Sequence, residues 1–123
     1  MTEQDKEVQD LRRENASLRQ KIAEITRENK YVDTIINRAI EKYGIPVQSV
    51  VAMEEMAELQ KELSKAIRGI YTSGNYDTKG MLEELADVTL MLKQIMVMYH
   101  IDEDAVRSVM HTKVMRLERR IDQ

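Results

Sequence analysis

Apolar residues recur from Val8 onward at alternating intervals of three and four, and the alternation does not slip before Ala39. One set of positions reads Val8, Asn15, Ile22, Asn29 and Ile36, and the other reads Leu11, Leu18, Ile25, Val32 and Ala39. These are the a and d positions of successive heptads, the pattern that winds two helices into a left-handed supercoil. Asn15 and Asn29 fall at a positions, where a buried amide costs stability but is satisfied by its mate in an aligned dimer. In a parallel pair Glu7 would meet Arg12 of the second strand and Glu14 would meet Arg19, both attractive. Glu28 would meet Asp33, and repulsion weakens the zipper there. The pattern predicts a self-associating first helix. The alternative is an amphipathic helix lying on its own domain.

Gly44 and Pro46 end this stretch, because Gly suits a left-handed residue after a helix and Pro cannot continue one. A second helix is predicted over Val47 to Arg68, stopped by Gly69, with Gly69 to Thr78 a loop by composition. Asp77 or Thr78 can cap a third helix running to about Tyr99. Asp102 caps a fourth, with Glu103 and Asp104 complementing its dipole. The apolar stripe of the second helix reads Ala52, Met56, Leu59, Leu63 and Ala66. That of the third reads Met81, Leu85, Val88, Leu92 and Ile95. No repeat or strand pattern intervenes, so the chain reads as all-α: a long helix followed by three with short connections.

Composition narrows the picture. The 123 residues suffice for one compact domain, with 42% hydrophobic and 33% charged residues. Phe and Trp are absent, Met numbers nine and Pro one, which favours helices over a β-sandwich. The absence of Cys excludes disulfides and thiolate metal sites. No apolar run approaches the roughly 20 residues that span a bilayer. The polar, acidic start does not read as a signal peptide, so a cytoplasmic location and no membrane partner are expected. A net charge of −3 argues against a dedicated nucleic-acid binder. It leaves room for a phosphate-bearing ligand whose charge is met by metal ions.

The candidate chemistry lies in two acidic segments, Glu54-Glu55-Met56-Ala57-Glu58 and Glu83-Glu84-Leu85-Ala86-Asp87. Residues three apart on a helix lie about 60° apart and one turn along its axis. Glu55 with Glu58, and Glu84 with Asp87, therefore form pairs that border the apolar stripes. In a helical hairpin the pairs can face each other, and Glu62 falls close enough to Glu84 to be an extra ligand. Four carboxylates at a half-buried interface repel unless neutralised, and a divalent cation neutralises them economically. All-oxygen ligation selects Mg²⁺, Mn²⁺ or Ca²⁺, and Mg²⁺ is commonly shared with substrate phosphates. The other reading is a solvated acidic face, which Glu-rich helices often carry. His100 and His111 lack a Glu three residues earlier, so the Glu-x-x-His pattern of di-iron bundles is absent.

The stretch Ala39-Ile40-Glu41-Lys42-Tyr43-Gly44, Gln48, Glu54-Glu55-x-x-Glu58 and Glu84-x-x-Asp87 resembles the MazG-like all-α nucleoside triphosphate pyrophosphohydrolases. Their hallmark is an EExxE segment followed, after a hairpin loop, by ExxD. The resemblance covers about Val32 to Ile121. It implies a helical bundle of that type over 32–123; the coiled-coil extension over 1–31, read from the heptads, is a departure from the compact family pattern. It also implies Mg²⁺-dependent hydrolysis of (deoxy)nucleoside triphosphates to the monophosphate and pyrophosphate, with Mn²⁺ as a substitute. Glu55, Glu58, Glu84 and Asp87 match the family's metal ligands, and Glu54 matches the first Glu of the motif, in a supporting catalytic role beside Glu55. Lys113 and Arg116, on one face of the last helix, match its basic phosphate-binding end. Gln48 and Tyr43 lie near its base-recognition region, with Asn75 and Tyr76 as weaker candidates. Family sites are commonly completed by a second subunit, so self-association as a dimer or tetramer is expected. The competing function is a non-catalytic coiled-coil oligomerisation or scaffolding protein whose carboxylates are only a solvated face.

Overall fold

A computed structural model describes the whole chain, Met1–Gln123. It contains four helices and no strand: α1 (Glu3–Tyr43), α2 (Ile45–Ser73), α3 (Lys79–Met98) and α4 (Glu103–Ile121). The residues fall into two units, Met1–Ile36 and Asn37–Gln123. The all-α class expected from the sequence is what the structure shows.

The first unit is helical throughout apart from its first two residues. Its start is closed by a reciprocal pair: the Asp5 amide donates to Thr2 Oγ1 at 3.1 Å, and the Thr2 amide donates to Asp5 Oδ2 at 2.9 Å. This is a capping box with Asp in the Glu position, and it satisfies amides that no helical carbonyl can reach. The Thr2 amide first, and the Thr2 hydroxyl beside it, hold the Asp5 carboxyl below its ordinary range. Val8, Leu11, Leu18, Ile22 and Ile25 are all exposed, whereas Ile36, on the same stripe, is 2% exposed.

In the second unit the α2–α3 hairpin is the principal packing, and its contacts fix the direction. Gln48 pairs with Gln94, Ser49 with Tyr99, and Glu62 lies beside Gly80. From Gln48 opposite Gln94 to Glu62 opposite Gly80 the numbers rise on α2 and fall on α3, so the helices are antiparallel. Ala52 and Ala66 are buried on α2, and Met91 and Met98 on α3. Burying each such Met contributes about 1.5–3 kcal/mol.

Two sequence expectations need correction. The second helix does not stop at Gly69: α2 runs on to Ser73 and is closed by Gly74 in the left-handed region (φ 73°), whose amide donates to the Ile70 carbonyl at 3.2 Å. Gly69 serves close approach instead, since a Cβ there would lie 2.6 Å from the Asn75 carbonyl oxygen. The returning chain crosses the helix at that point, and only glycine leaves room.

The buried face of α3 is also rotated from the predicted stripe. Met91, Gln94 and Met98 are buried, while Leu85 and Leu92 are close to half exposed. Gln94 can occupy that face because its polar atoms are met there: Oε1 accepts from Gln48 Nε2 at 2.8 Å and Nε2 donates to Met91 Sδ at 3.4 Å.

Asp77 Oδ1 accepts from the Lys79 amide at 3.1 Å at the start of α3, just before the helix-initiating Thr78. Asp102 caps α4 as expected, accepting from the Asp104 amide at 3.1 Å. Between α3 and α4, His100 adopts φ 54°, and the Ile101 amide reaches back to the Met96 carbonyl at 2.8 Å. That is the bond pattern of a Schellman stop, built on histidine where glycine is usual. No residue of α4 is buried.

Candidate metal centre

The antiparallel pairing sets the level at which the acidic segments meet. Gln48 and Glu55 are about two turns apart on α2, and Gln94 and Asp87 about two turns apart on α3. A hairpin that joins the glutamines therefore brings Glu55 opposite Glu84 and Asp87. One carboxylate oxygen from each of Glu55, Glu84 and Asp87 lies within 4.8 Å of the others. Glu55 and Glu84 are half-buried and Asp87 is exposed, so the cluster opens to solvent on one side.

Burial is the largest reason that the Glu55 carboxyl is pushed above its ordinary range. The negative charges of Asp87 and Glu84, a hydrogen bond shared with Asp87 and the charge of Glu58 add to it. Glu84 is raised in the same way, by burial first and then by Asp87, Glu58, Glu62 and Glu83. Glu84 Oε2 is buried with no hydrogen-bond partner. An acceptor in that position loses its hydration without replacement, a cost that native structures rarely leave uncompensated. An all-carboxylate donor set with one orphaned oxygen fits a hard divalent cation.

The other predicted site residues fall into separate places. Glu58 is exposed and outside the close triad, yet its charge reaches both Glu55 and Glu84. Glu54 is exposed beside it. Both oxygens of Glu62 are occupied: Oε2 accepts from the Tyr76 hydroxyl at 2.8 Å and Oε1 from Lys65 Nζ at 3.1 Å. Those two bonds, Tyr76 first, lower the Glu62 carboxyl, and the Glu62 bond in turn raises the Tyr76 phenol. Tyr76 thus ties the α2–α3 loop to α2.

Gln48 is buried at 7% exposure, and its Nε2 donates to Gln94 Oε1 at 2.8 Å. Tyr43 is exposed with Lys42 Nζ 5.3 Å from its ring centre. Lys113 and Arg116 stand exposed on α4 without an ion pair. Lys113 borders a shallow apolar groove with Ile101, Val106, Val109 and Met110.

Sequence reading missed Gln94, whose spacing from Met91 and Met98 was the available signal. It also missed the Tyr76–Glu62 bond, for which a loop sequence offers none. No helix is long and apolar enough to cross a membrane. No family model matches the chain, and neither a curated protein nor a solved structure matches it.

Proposed function

We propose that the chain is a Mg²⁺- or Mn²⁺-dependent pyrophosphohydrolase of (deoxy)nucleoside triphosphates, of the MazG-like all-α kind, with its first helix serving self-association. The observation that carries this reading is the convergence of Glu55, Glu84 and Asp87 around the unpartnered Glu84 Oε2. The EExxE and ExxD segments that resemble the family are the segments that converge.

Glu55, Glu84 and Asp87 would hold the cation, with Glu58 adding negative charge at the open side. Bound there, the cation would offset the charge of a triphosphate and acidify a coordinated water. The protein's own part is mostly placement of charge, which is where phosphoryl chemistry gains its rate. Glu54, exposed next to Glu55, is assigned to orienting water. Lys113 and Arg116 are assigned to the phosphates, and their lack of ion pairs leaves them available. Gln48 receives no substrate role, because its amide is committed to Gln94.

The test is pyrophosphate release from a panel of NTPs and dNTPs with Mg²⁺. Glu55→Gln and Asp87→Asn are each expected to lower the rate by on the order of a hundredfold, as loss of preorganised charge does elsewhere. Undiminished release by both variants removes the assignment.

A second reading, a non-catalytic scaffolding protein, is favoured by the exposed heptad stripe of α1. It requires that no member of the panel be hydrolysed and that Mg²⁺ with a non-hydrolysable nucleotide leave the melting temperature unchanged.

A further inference from the structure

The a and d residues Val8, Leu11, Leu18, Ile22 and Ile25 are exposed, Ile22 at 63% and Leu11 at 58%. A single helix in water gains little from propensity alone, and its stability comes from burying an apolar face. The stripe of the first unit is therefore a face whose cover is another molecule. Four features of α1 identify that molecule.

The e and g positions come first. Glu7 and Glu14 occupy g, Arg12 and Arg19 occupy e, and g meets the following e of the partner in a parallel pair. A second copy of this chain, aligned in register, supplies both complementary charges for each pair. The amides come second. In a parallel in-register dimer each a residue meets its own counterpart, so Asn15 meets Asn15 and Asn29 meets Asn29, donor to acceptor. In an antiparallel pair a faces d, and both amides would sit unpartnered against Leu, Ile or Val, at about 1–3 kcal/mol each. A parallel slip of one heptad sets Asn15 against Val8 or Ile22 and has the same defect.

The third feature is side-chain shape. Val8 at a with Leu11 and Leu18 at d is the arrangement that favours two strands over three or four, and it outweighs the single Ile at d, Ile25. The fourth is where the stripe changes character. Glu28 would face Asp33 of the second strand, and beyond that point the stripe ceases to be available, since Ile36 is 2% exposed. The exposed apolar face of α1 thus ends near the same level as the favourable charge pairs.

We propose that residues 8–29 of α1 form a parallel, in-register, two-stranded coiled coil with a second copy of this chain, indexed by Asn15 and Asn29. This assembly is independent of any catalytic role, and its test does not use activity.

The chain contains no cysteine, so a single introduced thiol reports the pairing without background. Full-length Leu18→Cys, at a d position, should cross-link to a disulfide dimer on the order of tenfold or more faster than Gln20→Cys, at the outward f position. The difference reflects the millimolar effective concentration that pairing confers. Adding Glu14→Arg to Leu18→Cys should slow the cross-linking several-fold, and adding Arg19→Glu as well should restore it. Circular dichroism on each variant checks that helix content is retained. Equal cross-linking at positions 18 and 20, or a chain that sediments as a monomer, overturns the proposal.

Discussion

Glu84 is the residue on which the site turns. Its carboxyl is half-buried, one oxygen lacks a partner, and burial followed by neighbouring negative charge raises its pKa. The sign of the resulting pH dependence follows from linkage. A carboxyl raised in the folded state favours folding while protonated, and that contribution is lost as pH rises through the raised value. In chelator, Glu84→Gln should therefore melt higher than the parent at about pH 7, where the parent carries the repulsion. The gap should shrink toward about pH 4, where the parent carboxyl is neutral. A gap that is constant with pH, or of opposite sign, would refute the electrostatic account. Mg²⁺ should raise the melting temperature of the parent and leave that of the variant nearly unchanged. Much of this residue-scale picture was legible: the i,i+3 spacing of Glu84 and Asp87, and the position of Glu55, needed only helix arithmetic. The separation of Glu58 from the triad was not legible, because helix arithmetic places it beside Glu55 but cannot say how far outward its side chain leans. Nor was the engagement of Glu62, whose partner Tyr76 arrives from a loop.

Among the elements, the hairpin of α2 and α3 holds a buried polar bond near its open end, between the first turn of α2 and the last turns of α3. Removing one partner of such a bond costs more than removing both, since the survivor stays desolvated and unpaired. Gln94→Leu is thus expected to destabilise the unit by about 1–3 kcal/mol, while Gln48→Leu with Gln94→Leu should recover most of that loss. Denaturant melts of the three chains measure it, and additive losses in the double variant would show that the bond is not the cause. The four helices themselves were plain from apolar period and caps: Gly44, Pro46 and Asp102 mark boundaries where the structure has them. The end of α2 was misjudged at Gly69 because a glycine kept for clearance looks, in sequence, like one kept to stop a helix. The face of α3 was misjudged because hydrophobicity alone cannot rank Gln94 above Leu92 for burial.

At the scale of the whole molecule, apolar surface outruns the buried core. Within Asn37–Gln123 the buried apolar side chains are Ala52, Ala66, Met91 and Met98, while Ile67 and Leu82 are more than half exposed. On α4, Val109, Met110 and Val114 are likewise exposed. Surfaces of this kind mark association sites. The melting temperature should accordingly rise with chain concentration, as it does when folding and association are linked. A midpoint unchanged over about a hundredfold range of concentration would show that folding stands alone. The heptads of the sequence single out the stripe of α1 that the structure leaves exposed. The sequence carries no comparable warning for α2, α3 and α4, where apolar residues are spread over more than one face and periodicity does not say which face is claimed within the chain.

The amide pair of Gln48 and Gln94 also resists sliding of one helix along the other. A slip of α3 along α2 by a single turn, about 5.4 Å, would part the two side chains completely, whereas greasy contacts re-form after such a slip with little complaint. Two uncharged groups, some two turns distant, thereby act as an indexing pin for the acids, opposing a slip that would carry Glu84 and Asp87 past Glu55.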